Sequence, residues 1–318
     1  MFNRYLMLTF SFLPSILPLL LLLSLESCGQ ATVSPTPLAD TLATFAKGID
    51  RGGIDNSALV EASGLVASRK NTEALWTHND SGGDPKVYLI SNRGETLGTY
   101  VLAGVKSRDW EDIAIGPGPE ENETYLYVGD IGDNNAQYPV KIIYRFIEPE
   151  VGDSAVVDTV RRVDTIRVVY PDGPRDAETL LVDPLTKDVY VISKRERRVN
   201  IYRSAFPQST TQPDTLELLG QIPREQVGIL EQLVGGDIST DGTEVLLKSY
   251  VQVFYWRRAN GRVALVDLLQ TEPQLLPYVP EPQGEAIGFA ADGSGYYTLS
   301  EQQSGIEPRL YFYERTPQ

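Results

Sequence analysis

An internal repeat constrains this chain more than any other feature, because a segment that recurs along the chain must fold as a recurring unit. Five segments open on an acidic residue followed by small and apolar positions: Glu61-Ala-Ser-Gly-Leu65, Glu111-Asp-Ile-Ala-Ile115, Glu178-Thr-Leu-Leu-Val182, Asp237-Ile-Ser-Thr-Asp241 and Glu285-Ala-Ile-Gly-Phe289. Their openings lie 50, 67, 59 and 48 residues apart. Each is followed by an apolar run with a polar exit, as in Leu75-Trp-Thr-His-Asn-Asp80, Tyr125-Leu-Tyr-Val-Gly-Asp130 and Val189-Tyr-Val-Ile-Ser-Lys194. An apolar-Tyr pair then recurs five times, from Val87-Tyr88 to Leu310-Tyr311. Four units add a further β-rich run, at residues 96–102, 164–170, 216–222 and 263–269.

Short runs rich in Val, Ile, Tyr and Thr, divided by Asp-Gly, Gly-Asp, Asn and Pro, are strands and turns. No long segment carries a 3.6-residue apolar period, which argues against crossover helices. Four strands per unit at a period near 50 residues predict an all-β fold, a β-propeller of four-stranded antiparallel blades. Five blades are expected, and a sixth fits only if the long spacing from 111 to 178 hides a degenerate unit. The last unit lacks a fourth strand, so an N-terminal strand is expected to complete it, with Thr41-Leu-Ala-Thr-Phe45 as the candidate.

A propeller gathers the starts of its first strands and the exits of its second strands around one channel mouth. The expected ring is therefore Glu61, Glu111, Glu178, Asp237 and Glu285, joined by Asp80, Asp130, Lys194, Lys248 and Glu301. Facing carboxylates repel and are pushed toward protonation unless a cation sits among them. Oxygen ligands in such number suit Ca²⁺. The loops Asn79-Asp80-Ser-Gly-Gly-Asp84 and Asp130-Ile-Gly-Asp133-Asn-Asn135 add acids beside glycines, which makes Asp80, Asp84, Asp130 and Asp133 the candidate metal ligands. Turn chemistry uses the same residues without any metal, and the opening acids could equally bind backbone amides of the next blade.

The chain has one histidine and one cysteine, so Zn, haem and nucleotide cofactors are not expected, and no phosphate loop or dinucleotide fingerprint occurs. No Gly-x-Ser-x-Gly elbow occurs either. Catalytic candidates are Glu111 or Asp112 as base, His78 for acid–base work and Lys194 to stabilise a developing anion. A lone histidine is more commonly a structural, hydrogen-bonded residue, and Trp76, Trp110 and Trp256 are expected to pack between blades. A formal charge of -15 argues against nucleic acid and against an anionic membrane surface, while 42% hydrophobic residues are enough for a core.

Residues 1–27 have an early Arg4, an apolar run from Ile16 to Leu23 broken by Pro18, and a small-residue processing site, the layout of a secretory signal. Leu25-Glu-Ser-Cys28 resembles the lipobox of bacterial lipoproteins, which implies a lipid-modified Cys28, a tether over 28–40 and a folded domain over 41–318. The expected location is the cell envelope, with the lipid as the only membrane contact, a monomeric state, and a small-molecule, glycan or protein ligand at the mouth.

The motifs Glu61-Ala-Ser-Gly-Leu65, Asn79-Asp-Ser-Gly82, Asp109-Trp-Glu-Asp-Ile-Ala114, Gly129-Asp-Ile-Gly-Asp-Asn134 and Gly284-Glu-Ala-Ile287 are similar to those of secreted propellers of the esterase-like phytase and SdiA-regulated groups. The resemblance covers most of residues 58–315 and implies a propeller with a Ca²⁺-loaded acidic mouth. β-Propeller phytases set Lys and Arg beside calcium to hold phosphates, and Lys194 and Lys248 match that pattern loosely. Three readings follow: a binding propeller, a Ca²⁺-dependent hydrolase of phosphoesters or other esters, and, behind these, a lyase or glycosidase using paired carboxylates.

Overall fold

The computed structural model describes residues 42–317, except 153–155, 197, 224–231, 259 and 260. Arg4, Cys28 and the tether lie outside the described residues. Five blades form a closed ring. Blade 1 is β2 (Ala62–Ala67), β3 (Ala74–Asn79), β4 (Lys86–Ser91) and β5 (Thr96–Leu102). Blade 2 is β6 (Trp110–Pro117), β7 (Thr124–Asp130), β8 (Lys141–Ile147) and β10 (Asp164–Val169). Blade 3 is β11 (Ala177–Val182), β12 (Val189–Ser193), β13 (Val199–Ser204) and β15 (Glu217–Ile222). Blade 4 is β16 (Leu233–Ile238), β17 (Glu244–Ser249), β18 (Val253–Arg257) and β19 (Gln274–Leu276). Blade 5 is β20 (Gly284–Phe289), β21 (Gly295–Ser300), β22 (Arg309–Glu314) and β1 (Ile49–Gly53).

Burial falls from the centre outward, as the strand order requires. Strands β2, β11, β16 and β20 are buried at every position, whereas β5 and β10 alternate buried and half-buried residues. An innermost strand is covered on both faces by the blades beside it, so it reads as a continuous apolar run rather than an alternating one. The innermost strands pack on one another around the ring, β20 returning to β2. Five apolar cores fill the five gaps between adjacent blades. Trp76 and Trp110 belong to the core between blades 1 and 2, and Trp256 to that between blades 3 and 4.

Blade 5 closes through an N-terminal strand, although not the expected one. Strand β1 pairs antiparallel with β22, Ile49 opposite Phe312 and Gly53 opposite Arg309, while Phe45 makes only an isolated bridge to Arg315. The long spacing between the second and third repeats holds no sixth blade. It contains β9 (Val156–Val160), which runs parallel to β5 and widens blade 1 to five strands. In the same way β14 (Asp214–Thr215) adds to the outer edge of β10. Both additions cover edges that would otherwise expose a row of unpaired backbone groups. The expected strand at 263–269 is instead a short helix, α1 (Leu265–Leu269), and β19 completes blade 4. Leu265, Leu268 and Leu269 are buried at helical spacing, so this apolar run follows a 3.6-residue period.

The channel centre is held by buried polar groups. Asp112 is fully buried; its Oδ2 accepts the Leu180 N–H of β11 at 2.9 Å and its Oδ1 accepts the Ile113 N–H at 2.9 Å. Asp237 Oδ2 accepts the Phe289 N–H of β20 at 2.8 Å, and Oδ1 the Ile238 N–H at 2.8 Å. Inner strands have one edge facing the channel, and these two carboxylates satisfy N–H groups that no strand reaches. Gly64, at φ 44°, permits the close approach of β2 to β6, where a Cβ would stand 2.5 Å from the Ile113 nitrogen. Among the described residues, no helix is long and apolar enough to cross a membrane.

Candidate acidic site at the channel mouth

The hydrogen-bond register defines which residues share the mouth. Each first strand carries a bulge after its first residue, opposite the last residue of the second strand: Trp110 faces Asp130, Ala177 faces Ser193, Leu233 faces Ser249 and Gly284 faces Ser300. The equivalent bulge positions are therefore Ser63, Glu111, Glu178, Val234 and Glu285. Those just past the second strands are Asp80, Ile131, Lys194, Tyr250 and Glu301.

This register corrects the expected ring. Glu111, Glu178 and Glu285 share one position, but Glu61 lies two residues before it and Asp237 three residues beyond it. Glu61 is exposed at the rim, where its carbonyl accepts the Asp80 N–H at 2.8 Å. Asp237 lies inside the channel with the backbone partners already described. Lys248 is likewise two residues short of its expected place: it is fully buried, and its Nζ donates to the carbonyls of Ser249 and Gly284 and to the Tyr278 hydroxyl. Burial pushes its ammonium down to about 8, against the pull of Glu281 and Glu285. Tyr250 occupies the position expected of Lys248.

Of the four candidate metal ligands, the structure brings only Asp80 into the carboxylate cluster. Asp84 is exposed and pairs with Lys86 at 2.7 Å. Asp130 pairs with Arg108 at 3.0 Å and accepts the backbone N–H groups of Arg108 and Asp109. Asp133 is bound by Lys141 Nζ at 2.8 Å and by the N–H groups of Gln137 and Tyr138, each at 2.7 Å. Those three donors outweigh burial and lower its carboxyl below the ordinary value. Asp130 sits one position before the cluster-facing residue, and one residue in a strand reverses the side chain's direction.

Two acids absent from the sequence-based set complete the cluster. Asp109 and Asp176 stand two residues before Glu111 and Glu178, so the repeated pattern Asp-x-Glu was the available signal. Carboxylate oxygens of Asp80, Asp109 and Glu111 lie within 4.8 Å of one another, as do those of Glu111, Asp176 and Glu178. Glu111 is common to both groups. Gly132 lets the cluster close up, for a Cβ there would fall 2.0 Å from Glu111 Oε1 and 2.6 Å from Asp109 Cγ.

Few cations balance these charges. Lys194 Nζ donates to Glu178 Oε2 and, at 3.0 Å, to the Tyr250 hydroxyl, which donates to Glu285 Oε1 at 2.9 Å. Ser63 Oγ donates to the Glu111 carbonyl, and Glu285 Oε2 lies 3.4 Å from the same hydroxyl. Arg195 pairs with Asp176 at 2.5 Å, with its side chain 42% exposed. Asp176 Oδ1 also accepts the Asp133 N–H at 2.7 Å, which fastens the second metal-candidate loop to this wall.

Burial and mutual repulsion dominate the titration. Burial, then the charges of Glu285 and Asp109, pushes Asp80 up to about 7. Burial lifts Glu178 to about 8 even though Lys194 opposes it. Glu301 is pushed up to about 8 by burial and then by Glu285 and Asp80. Glu111 is raised well above the ordinary range by burial and then Glu178. His78 stands apart from this set. It is fully buried, its Nδ1 2.8 Å from the Asn79 carbonyl and its ring edge-on to Trp110 at 5.7 Å, and burial lowers it to about 4. Asp112 and His78, two of the four catalytic candidates, are thus engaged with the backbone and the core.

The cluster fits a hard cation. A Ca²⁺ shell with oxygens about 2.3–2.6 Å from the ion spans roughly 4.6–5.2 Å across, close to the spacing of the two groups. Asp80 Oδ1 is buried with no hydrogen-bond partner, a donorless acceptor of the kind an ion would satisfy.

No family model matches the chain, and no curated protein matches it. Among solved structures, the chain is similar to the WD40 repeats of RRP9, at 11% identity and a TM-score of 0.43, over 87% of this chain and 99% of that one. It is also similar to the structure of U3-55K, at 10% identity and a TM-score of 0.40, over 80% of this chain and 95% of that one.

Proposed function

We propose that this propeller is a binding module whose channel mouth holds Ca²⁺ and recognises a ligand through the ion. One observation carries the reading: two groups of carboxylates share Glu111 at Ca²⁺-like spacing, with an orphaned oxygen on Asp80. Asp80, Asp109, Glu111, Asp176 and Glu178 would hold the cation. Carboxylates driven toward protonation by burial and one another are relieved when a divalent ion replaces the protons. Oxygens of a small-molecule, glycan or protein ligand would complete the coordination shell, and Arg195 is the exposed cation beside it.

The Leu25-Glu-Ser-Cys28 motif supports attachment of the module to the bacterial envelope through a lipid on Cys28. The binding reading is preferred to a hydrolase because His78 and Asp112 are committed to structure and Lys194 is held between Glu178 and Tyr250.

The test is calorimetry and thermal melting of chelator-treated protein titrated with CaCl₂. Heat of binding and a rising melting temperature are expected in the native protein, with both lost in Glu111→Gln, which removes one charge from each group at constant volume. Absence of heat and an unmoved melting temperature in the native protein would reject the proposal.

A further inference from the structure

The other end of the channel carries a cavity of about 370 Å³ between blades 1 and 5. It opens where β2 and β20 finish, and its lining includes Ser68, Arg69, Asn71, Arg51, Tyr297 and Phe312. Its size is within the range of small-molecule sites.

Two orphaned donor atoms belong to residues of this lining. Arg69 Nη1 and Arg51 Nε are buried without a hydrogen-bond partner. A guanidinium N–H withdrawn from water without an acceptor costs free energy, and an oxyanion placed between two such groups recovers it. The neighbouring acid does not serve: Glu148 accepts from Trp76 Nε1 at 2.9 Å, Ser68 Oγ at 2.5 Å and the Arg69 backbone N–H at 3.0 Å. Burial lowers Arg69 from the ordinary arginine value in spite of the charges of Asp237 and Glu148.

The rest of the lining selects among oxyanions. Tyr297 and Phe312 form an aromatic wall with ring centroids 4.6 Å apart, and the Arg51 guanidinium lies 5.0 Å over Phe312. Glu73, Asp292 and Glu314 also line the cavity, so two arginines face three acids. With the acids in the majority, a dianion such as phosphate is repelled about twice as strongly as a single negative charge, so only a monoanion gripped directly by the two guanidinium groups is favoured.

We propose that this cavity binds a small monocarboxylate with an aromatic or aliphatic body, its carboxylate taken by Arg51 and Arg69 and its body laid against Tyr297 and Phe312. The proposal is independent of the cation at the mouth.

Phenylacetate is a suitable probe, with its neutral isostere phenylacetamide and inorganic phosphate as comparisons, followed by calorimetry or by NMR shifts. Phenylacetate is expected to bind with a Kd of about 1 mM or tighter. Phenylacetamide, phosphate and the variant Arg51→Gln should each bind or respond at least about tenfold more weakly, the loss of one charge-assisted hydrogen bond. Arg69→Gln should do the same; because Arg69 also faces Asp237 and Glu148 and its loss can unsettle the fold, Arg51→Gln on the outermost strand is the deciding variant. Glu111→Gln should leave the affinity unchanged. No binding of phenylacetate, equal binding of the amide, tighter binding of phosphate or an unaffected Arg51→Gln would each overturn the proposal.

Discussion

Replacing Lys194 by Met probes the balance of charge at the mouth directly. Lys194 and Glu178 are both almost fully buried, with side chains 1% and 6% exposed, so the substitution leaves an uncompensated carboxylate. Breaking a buried pair in this way costs about 3–5 kcal/mol, which for a domain of this size lowers the melting temperature by roughly 6–20 °C. The loss should depend on pH. Glu178 already has its proton affinity raised to about 8, so below pH 7 it escapes part of the cost by protonation, while at pH 9 it meets the whole of it. Ca²⁺ should then narrow the deficit. At a hundredfold excess over Kd an ion adds about 2.7 kcal/mol to either protein. It should also bind Lys194→Met at least about fivefold more tightly, because a competing cation has gone and the coupling of such sites is about 1 kcal/mol or more. The assay is thermal unfolding in chelator and across a CaCl₂ titration, at pH 6, 7.5 and 9. Equal Ca²⁺ affinity in the two proteins would refute the claim that Lys194 and the ion serve the same carboxylates.

Gly132→Ala should abolish the Ca²⁺ response while leaving the melt in chelator within about 1 kcal/mol of the native protein, since the groups displaced are the tips of Glu111 and Asp109 rather than backbone; a Ca²⁺ isotherm unchanged by the alanine would contradict this. His78, lowered from 6.5 to about 4, contributes stability that is complete above its unfolded value and disappears as pH falls through 4, worth about 3 kcal/mol in total. Urea midpoints between pH 7 and 4 should therefore decline less steeply in His78→Phe, and parallel curves would count against a neutral buried imidazole. Asp183→Ala should cost about 3–5 kcal/mol in urea unfolding by stranding Arg258, which pairs with Asp183 at 2.9 Å with both side chains 2% exposed; a cost under 1 kcal/mol would be inconsistent with that burial. A chain starting after Gly53 lacks β1 and should self-associate through the bared edge of β22, which size-exclusion chromatography would detect as earlier elution than the full chain; an unshifted peak would mean the edge is protected by another route.

Blade number and strand order were legible because repetition averages over local ambiguity: an apolar-Tyr pair recurring five times identifies third strands even where one copy is weak. Single-copy features were less legible. The run Val263–Leu269 satisfies both a strand and a one-turn helix, and only the core between blades 3 and 4 decides for the helix. The site suffered from register. In the fourth repeat the bulge position is Val234, so a search for an acid slides to Asp237, and its partner position slides from Tyr250 to Lys248. Bulges are the cause: they add a residue to one strand without leaving a distinctive residue type behind. Acid recurrence was visible, but which acids were already spent on Lys141, Arg108 or backbone N–H groups was not, because those partners come from elsewhere in the fold. Asp-x-Glu at 109–111 and 176–178 was the readable trace of the cluster.

The pairing of β1 with β22 has a kinetic side. Ile49 and Phe312 are among the most distant partners in the chain, and closing a loop of that length costs about 5 kcal/mol of chain entropy before any contact rewards it. On a ribosome β1 emerges first and must wait for the final strand, so four blades can assemble while its partner has yet to be made. Through that interval the ring stands open where blade 5 will sit, and the two flanks it will cover, those of Leu65 on β2 and Leu246 on β17, are exposed. Synthesis rate and chaperone supply therefore bear hardest on the forty or so residues after β19 ends at Leu276, and slow elongation there would lengthen the period in which two nascent copies could exchange their first strands.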